Sequence, residues 1–164
     1  MDKDLESYRS QLASNPDDAE ALARLESALI RSGDWAGVVA LIAERTEGVA
    51  PDEAEATWMR LVINLEERVA EMEEPRQASA LALAIGVLWE ERLDRADEAM
   101  LRYQKAFQLD AANLQALQAA RRSYEGRENW ELVLQLYNLE LQQTDEGLAQ
   151  RIGSSKPQPQ PLGI

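Results

Sequence analysis

The sequence predicts an all-α protein built as a solenoid of antiparallel helix pairs, and three observations carry that expectation. Ala, Leu, Glu, Gln and Arg, all strong helix formers, dominate the 164 residues. Apolar residues recur with a helical period between short Asn, Asp, Gly and Pro turns. Val38-Val39 and Leu61-Val62-Ile63 sit inside such patterns, so no strand is expected. Finally, the apolar skeleton of Asp17 to Thr46 returns in Ala112 to Leu141, the mark of a repeat architecture.

Period and punctuation place eight helices. The first runs from Lys3 to Ser14 and stops at Asn15-Pro16-Asp17-Asp18. The second, Asp18 to Arg31, stops at Ser32-Gly33-Asp34, and the third, Trp35 to Thr46, ends before Gly48 and Pro51. A longer fourth helix covers Asp52 to Met72 and is broken by Glu74-Pro75. The fifth is Arg76 to Arg92, the sixth Ala96 to Leu109 and the seventh Asn113 to Glu125, with Gly126 as its C-cap candidate. The eighth is Asn129 to Thr144, with Gly147 just beyond. Connections this short make sequential helices antiparallel neighbours.

A shift of 95 positions (35 to 130) lays Trp35 on Trp130, Leu22 on Leu117, Val38 on Val133, Leu41 on Leu136 and Tyr8 on Tyr103. All are positions that pack between helices. In RADEAMLRYQKAFQLDAAN, Arg95 to Asn113, the residues Ala99, Tyr103, Ala106 and Leu109 share one helical face before an Asp-Ala-Ala-Asn turn. This stretch resembles the second helix of a tetratricopeptide repeat, a unit of about 34 residues. Ala19 to Glu44 resembles the same family: Leu22, Leu25 and Leu29 take first-helix apolar positions, Gly33-Asp34-Trp35 matches the turn and Pro16 the closing proline. The resemblance covers roughly 100 residues.

Departures are equally specific. Ala111 stands where the family has proline, and Glu26 and Arg121 stand where it has a small residue. Glu66-Glu67-Arg68 and Glu90-Glu91-Arg92 make the fourth and fifth helices both look like first helices, so one second helix is missing. The middle helix pair, 52–92, is therefore expected to be irregular, with the stack kinked there or split into two sub-blocks.

Catalysis finds little support. With no His and no Cys, Ser-His-Asp and Cys-His sites are excluded, as are the commonest metal ligand and any disulfide framework. The glycines are too scattered for a phosphate-binding loop. The pairs Glu66-Glu67, Glu73-Glu74, Glu90-Glu91 and Asp97-Glu98 point about 100° apart on a helix, so they read as solvated faces. Asp52 and Asp97 suit helix N-termini. No enzyme, cofactor or metal is expected, and all four tryptophans are expected in or near the core.

A net charge of −13 repels phosphate backbones and anionic lipid surfaces, so nucleic acid and membranes are poor partners. No apolar run approaches the ~20 residues needed to span a bilayer, and Met1-Asp2-Lys3-Asp4 leads into a polar helix rather than a signal sequence. A cytoplasmic protein–protein interaction scaffold is the expectation.

In the family that the chain resembles, first helices line a concave binding side. The resemblance therefore nominates Arg24, Ser27 and Arg31, with Glu20 and Ala23, from the second helix. From the seventh it nominates Gln115, Gln118 and Arg122, with Ala119 and Glu125. Where the family clamps a terminal carboxylate with Lys and Asn, this chain has Ala23 and Ser27, or Gln118 and Arg122, which argues against a chaperone-tail receptor. The alternative is a structural solenoid segment of a longer chain or a self-associating element. It would stack through Leu5, Tyr8, Leu132 and Leu136, and the start on what resembles a second helix favours it. The repeat domain is assigned to 1–150. The Pro/Gln-rich segment 151–164, ending KPQPQPLGI, reads as a disordered linker or a docking peptide around Pro161-Leu162-Gly163-Ile164.

Overall fold

The computed structural model describes residues 2–154, with side-chain environments for 3–149. It is all-α among those residues, in the order α1 (Asp2–Ser14), α2 (Ala19–Ser32), α3 (Trp35–Thr46), α4 (Pro51–Glu71), α5 (Pro75–Glu91), α6 (Ala96–Leu109), α7 (Leu114–Glu125) and α8 (Trp130–Ser154). Each helix packs against the next in sequence, which makes the stack a solenoid. Starts are set by local chemistry. Asp18 and Asn113 cap α2 and α7 by accepting from the amides of Ala21 and Ala116, and prolines open α4 and α5. The largest departure from expectation is α8, which runs through Gly147 to Ser154 instead of ending at Thr144. Gly147 does not adopt the left-handed conformation that would end a helix, and Leu148 to Ile152 continue it. Residues 155–164, most of the expected tail, lie outside the described residues.

The repeat is written in the turns. Gly33 (φ 76°), Asp94 (φ 52°) and Glu128 (φ 57°) are all left-handed, and each stands two positions before the next helix, at Trp35, Ala96 and Trp130. The following amide donates back into the preceding helix each time: Asp34 to Leu29, Arg95 to Trp89 and Asn129 to Tyr124. Pairs α2–α3, α5–α6 and α7–α8 thus enter their second helix through a similar left-handed step, after connections of two, four and four residues, and positions 94 and 128 lie one 34-residue unit apart. Glycine adopts this conformation freely and aspartate tolerates it, whereas glutamate is strained.

The tightest hairpin is α5–α6. A Cβ on Gly86 would stand 2.5 Å from Tyr103 Cε1 and 3.2 Å from the carbonyl oxygen of Ala99, so only glycine admits the ring. Tyr103 is 1% exposed and its hydroxyl donates to Glu90. Nearby, buried Ser79 donates to the Ala106 carbonyl at 2.6 Å and accepts from Asn113 Nδ2 at 2.8 Å, tying α5, α6 and the α7 cap together. The stack is not split in its middle. One apolar core runs from Leu25 and Leu29 through Val38 and Ile42, then Trp58, Leu61 and Leu65 of α4, to Ile85, Trp89 and Tyr103, and on to Ala120. The unmatched helix α4 is simply inserted between α3 and α5. Glu26, standing where a small residue was expected, is buried and faces Arg60 of α4 at 3.6 Å.

Three outcomes follow from this packing. Gly86→Ala gains about 1 kcal/mol of helix propensity but forces the ring and the Ala99 carbonyl apart, for a net loss of about 1–2 kcal/mol in urea unfolding. Glu128→Gly relieves the left-handed strain and raises stability by about 0.5–1 kcal/mol, with a smaller gain for Asp94→Gly. Burial, and next the Glu90 hydrogen bond, raise the Tyr103 pKa above the ordinary tyrosine range. The fold favours the neutral phenol, so its contribution is full below about pH 10 and is lost as pH rises through the raised value. Phenolate absorbance should show one late-titrating tyrosine, and Tyr103→Phe should abolish that step.

Candidate partner-binding surfaces

The sequence-predicted residues fall into two separate sets. On α2, Arg24, Ser27 and Arg31 are exposed and line a shallow depression of about 360 Å³ with Glu20, Ala23 and Tyr8 of α1. Arg24 is spent on Glu20 one turn away, whereas no carboxylate lies within 4 Å of Arg31 among the described residues. On α7, Gln115, Gln118 and Arg122 are exposed along one edge, and no described cavity is lined by both sets. In stacking order α3 to α6 stand between them. Of two further nominees on α7, Ala119 is buried, and Glu125, half-buried, accepts from Arg121.

Arg121 explains why a large residue fits where a small one was expected. Its guanidinium donates to Glu140 Oε1 at 2.9 Å and to Glu125 Oε1 at 2.7 Å, and lies 4.3 Å from the centre of the Tyr137 ring. The bond to Glu140, first among several causes, raises its pKa. A polar clamp therefore joins α7 to α8 where glycine joins α5 to α6.

The feature the sequence reading placed wrongly is α8. Trp130, expected in or near the core, is 60% exposed, while Trp58 and Trp89 are buried and Trp35 is half-buried. Leu134 (64%), Tyr137 (42%), Leu141 (59%) and Leu148 (50%) are exposed with it. At 100° per residue these five positions fall within an arc of about 60°. Thr144 lies beside the same line, giving 4-3-4-3-4 spacing from 130 to 148, as along a coiled-coil seam. The opposite stripe faces the stack: Leu132, Leu136 and Leu139 look onto Tyr103, Phe107, Leu117 and Tyr124.

Consequently Leu132 and Leu136, expected to form an outward stacking surface, are turned inward. Leu5 and Tyr8 at the other end likewise pack on the core, half-buried. The internal alignment holds where it concerns depth. Val38 and Val133 are both buried, as are Leu22 and Leu117, but Trp35 and Trp130 part company. The turn accounts for this. The helix before Trp35 ends at left-handed Gly33, whereas α7 ends at Glu125 and passes through Gly126 in a right-handed conformation (φ −62°), so a longer loop delivers Trp130 on the outside.

A cleft of about 920 Å³ also opens between α1, α2 and α3, floored by Leu12, Leu22, Leu25 and Leu41 and rimmed by Arg9 and Arg45. The acidic pairs are less idle than expected. Glu66 accepts from Arg102 at 2.7 Å, Glu90 from Tyr103, Asp97 from Arg127 and Glu98 from Arg102, while Glu67, Glu73, Glu74 and Glu91 are exposed. Among the described residues no group of three or more potential ligands is placed to hold a metal ion, and no helix is long and apolar enough to cross a membrane.

No protein-family model matches the sequence, and no curated protein matches it. Among solved structures, a crystal structure of MamA is similar with a TM-score of 0.44 and 15% identity, over 88% of this chain and 89% of that one. A second MamA crystal structure has the same TM-score and 14% identity, over 96% of this chain and 87% of that one.

Proposed function

We propose that the chain is a non-catalytic, cytoplasmic scaffold that holds a protein partner against the outer face of α8. One observation carries this reading: Trp130, Leu134, Tyr137, Leu141 and Leu148 form a continuous apolar stripe left uncovered on a helix whose other side is already packed. Scattered surface leucines are ordinary, but an aligned row including Trp and Tyr is the composition of an interaction surface. The depression formed by Tyr8, Ala23, Ser27 and Arg31 supports a second reading, in which a peptide carboxylate meets Arg31 on α2. Gln115, Gln118 and Arg122 would offer a separate polar edge on α7.

A photo-crosslinking amino acid placed singly at Leu134, Leu141, Ser27 and, as a control, exposed Ala36 separates these readings in the cells that make the protein. Adducts with another protein should form at 134 and 141 and not at 36. Adducts confined to Ser27 would move the site to α2, adducts of twice the chain's mass would favour a self-associating element, and none above the control would overturn the scaffold reading.

A further inference from the structure

The α8 stripe has a charge pattern as specific as its shape. From Trp130 to Ser154 the helix carries Glu131, Glu140, Asp145 and Glu146 against a single basic residue, Arg151. Glu140 is engaged by Arg121, but Glu131, Asp145 and Glu146 are exposed with no cation within 4 Å among the described residues. On a helical projection Glu131 and Asp145 border the stripe on one side, with Asn138 between them. Neutral Thr144 and Gly147 lie on the other side, toward Glu140.

Resting on the scaffold reading, we infer that the occupant of this face is a basic amphipathic helix of a partner protein. It would supply apolar residues at alternating spacings of three and four, and Lys or Arg beside them facing Glu131 and Asp145. The spacing from 130 to 148 matches a second helix lying along the first for about 27 Å, and an apolar seam with flanking charges fixes both partner and register. α8 is also about twice as long as α7, so beyond Gln143 it extends past the helix it packs on and is open to a partner. A second copy of this chain is the poorer occupant. Antiparallel pairing brings Glu131 against Asp145, parallel pairing brings Asp145 toward the flank that carries Glu140, and two chains of charge −13 repel.

The test uses a fluorescent synthetic peptide of about three heptads with Leu at the seam and Lys beside it. Controls are the same composition scrambled and the same seam flanked by Glu. Binding to the whole chain is read by anisotropy at low and high salt. The Lys peptide should bind, lose affinity with salt, and bind at least about tenfold more weakly to Leu134→Gln/Leu141→Gln, a charge-neutral change at exposed sites whose folding circular dichroism verifies. Equal binding to the double variant, or equal binding of the scrambled or Glu peptide, overturns the inference. So does a molar mass that doubles with concentration in the native chain but not in the variant, which would assign the face to a second copy. No peptide binding alongside strong crosslinks at Leu134 overturns the basic helix and leaves the scaffold standing, whereas loss of both overturns the two together.

Discussion

The missing side chain at residue 86 sets how near α6 comes to α5, and the later half of the molecule takes its position from that approach. With Tyr103 lying on the backbone of α5, Ala99 and Ala106 close the same interface as fully buried small residues. The close contact brings the C-terminal end of α6 to Ser79, which satisfies the Ala106 carbonyl and in turn holds Asn113, the cap of α7. Placement thus passes from a glycine to a ring, from the ring to a helix end, and from that end to the start of the next hairpin. Removing one partner of a buried polar pair costs about 1–3 kcal/mol, so this relay resists slippage as well as unfolding.

Arginines add polar links between the helices. Arg102 reaches from α6 to Glu66 of α4 at 2.6 Å and stacks over Trp89, Arg95 meets Glu55 at 2.7 Å, Arg121 clamps α7 to α8, and Arg127 pairs with Asp97. Exposed pairs of this kind add only about 0–1 kcal/mol each, and the partly buried Arg102 and Arg121 contribute mainly by fixing geometry. Their larger consequence is electrostatic. With only 17 basic residues in the chain, every arginine turned toward a neighbouring helix leaves the outer surface more acidic. What a partner meets is therefore more one-signed than the composition suggests.

Helix identity was legible because the turns are chemically explicit. Asn15-Pro16, Gly33, Pro51 and Pro75 each end or begin a helix within a few residues of where the sequence places them. Three things were not legible. Asp94 and Glu128 sit left-handed without a glycine to announce it, because the hairpin imposes the conformation and overrides local preference. Gly86 reads as a break in an apolar run until Tyr103, seventeen positions on, is seen against it. And α8 has two apolar stripes of equal helical period. Periodicity finds both but does not say which faces in, a choice made by the α7–α8 loop and by the Arg121 clamp. The nominated arginines on α2 and α7 followed from the resemblance to a repeat family. All are exposed, but only the α2 set lines a common depression.

The orientation of α8 has a physical logic of its own. A second helix in a solenoid packs on its own first helix and on the next repeat, so it is covered from two sides. α6, packed between α5 and α7, buries Ala99, Met100, Tyr103 and Ala106, whereas α8, packed on one side only, buries only Val133 among its described side chains. Five large apolar side chains held in water attract any apolar surface of matching spacing, including the same stripe on another copy. The border of Glu131 and Asp145 makes that last encounter repulsive while leaving a cationic helix attracted. Apolar matching supplies the adhesion, and the bordering carboxylates decide what is allowed to adhere.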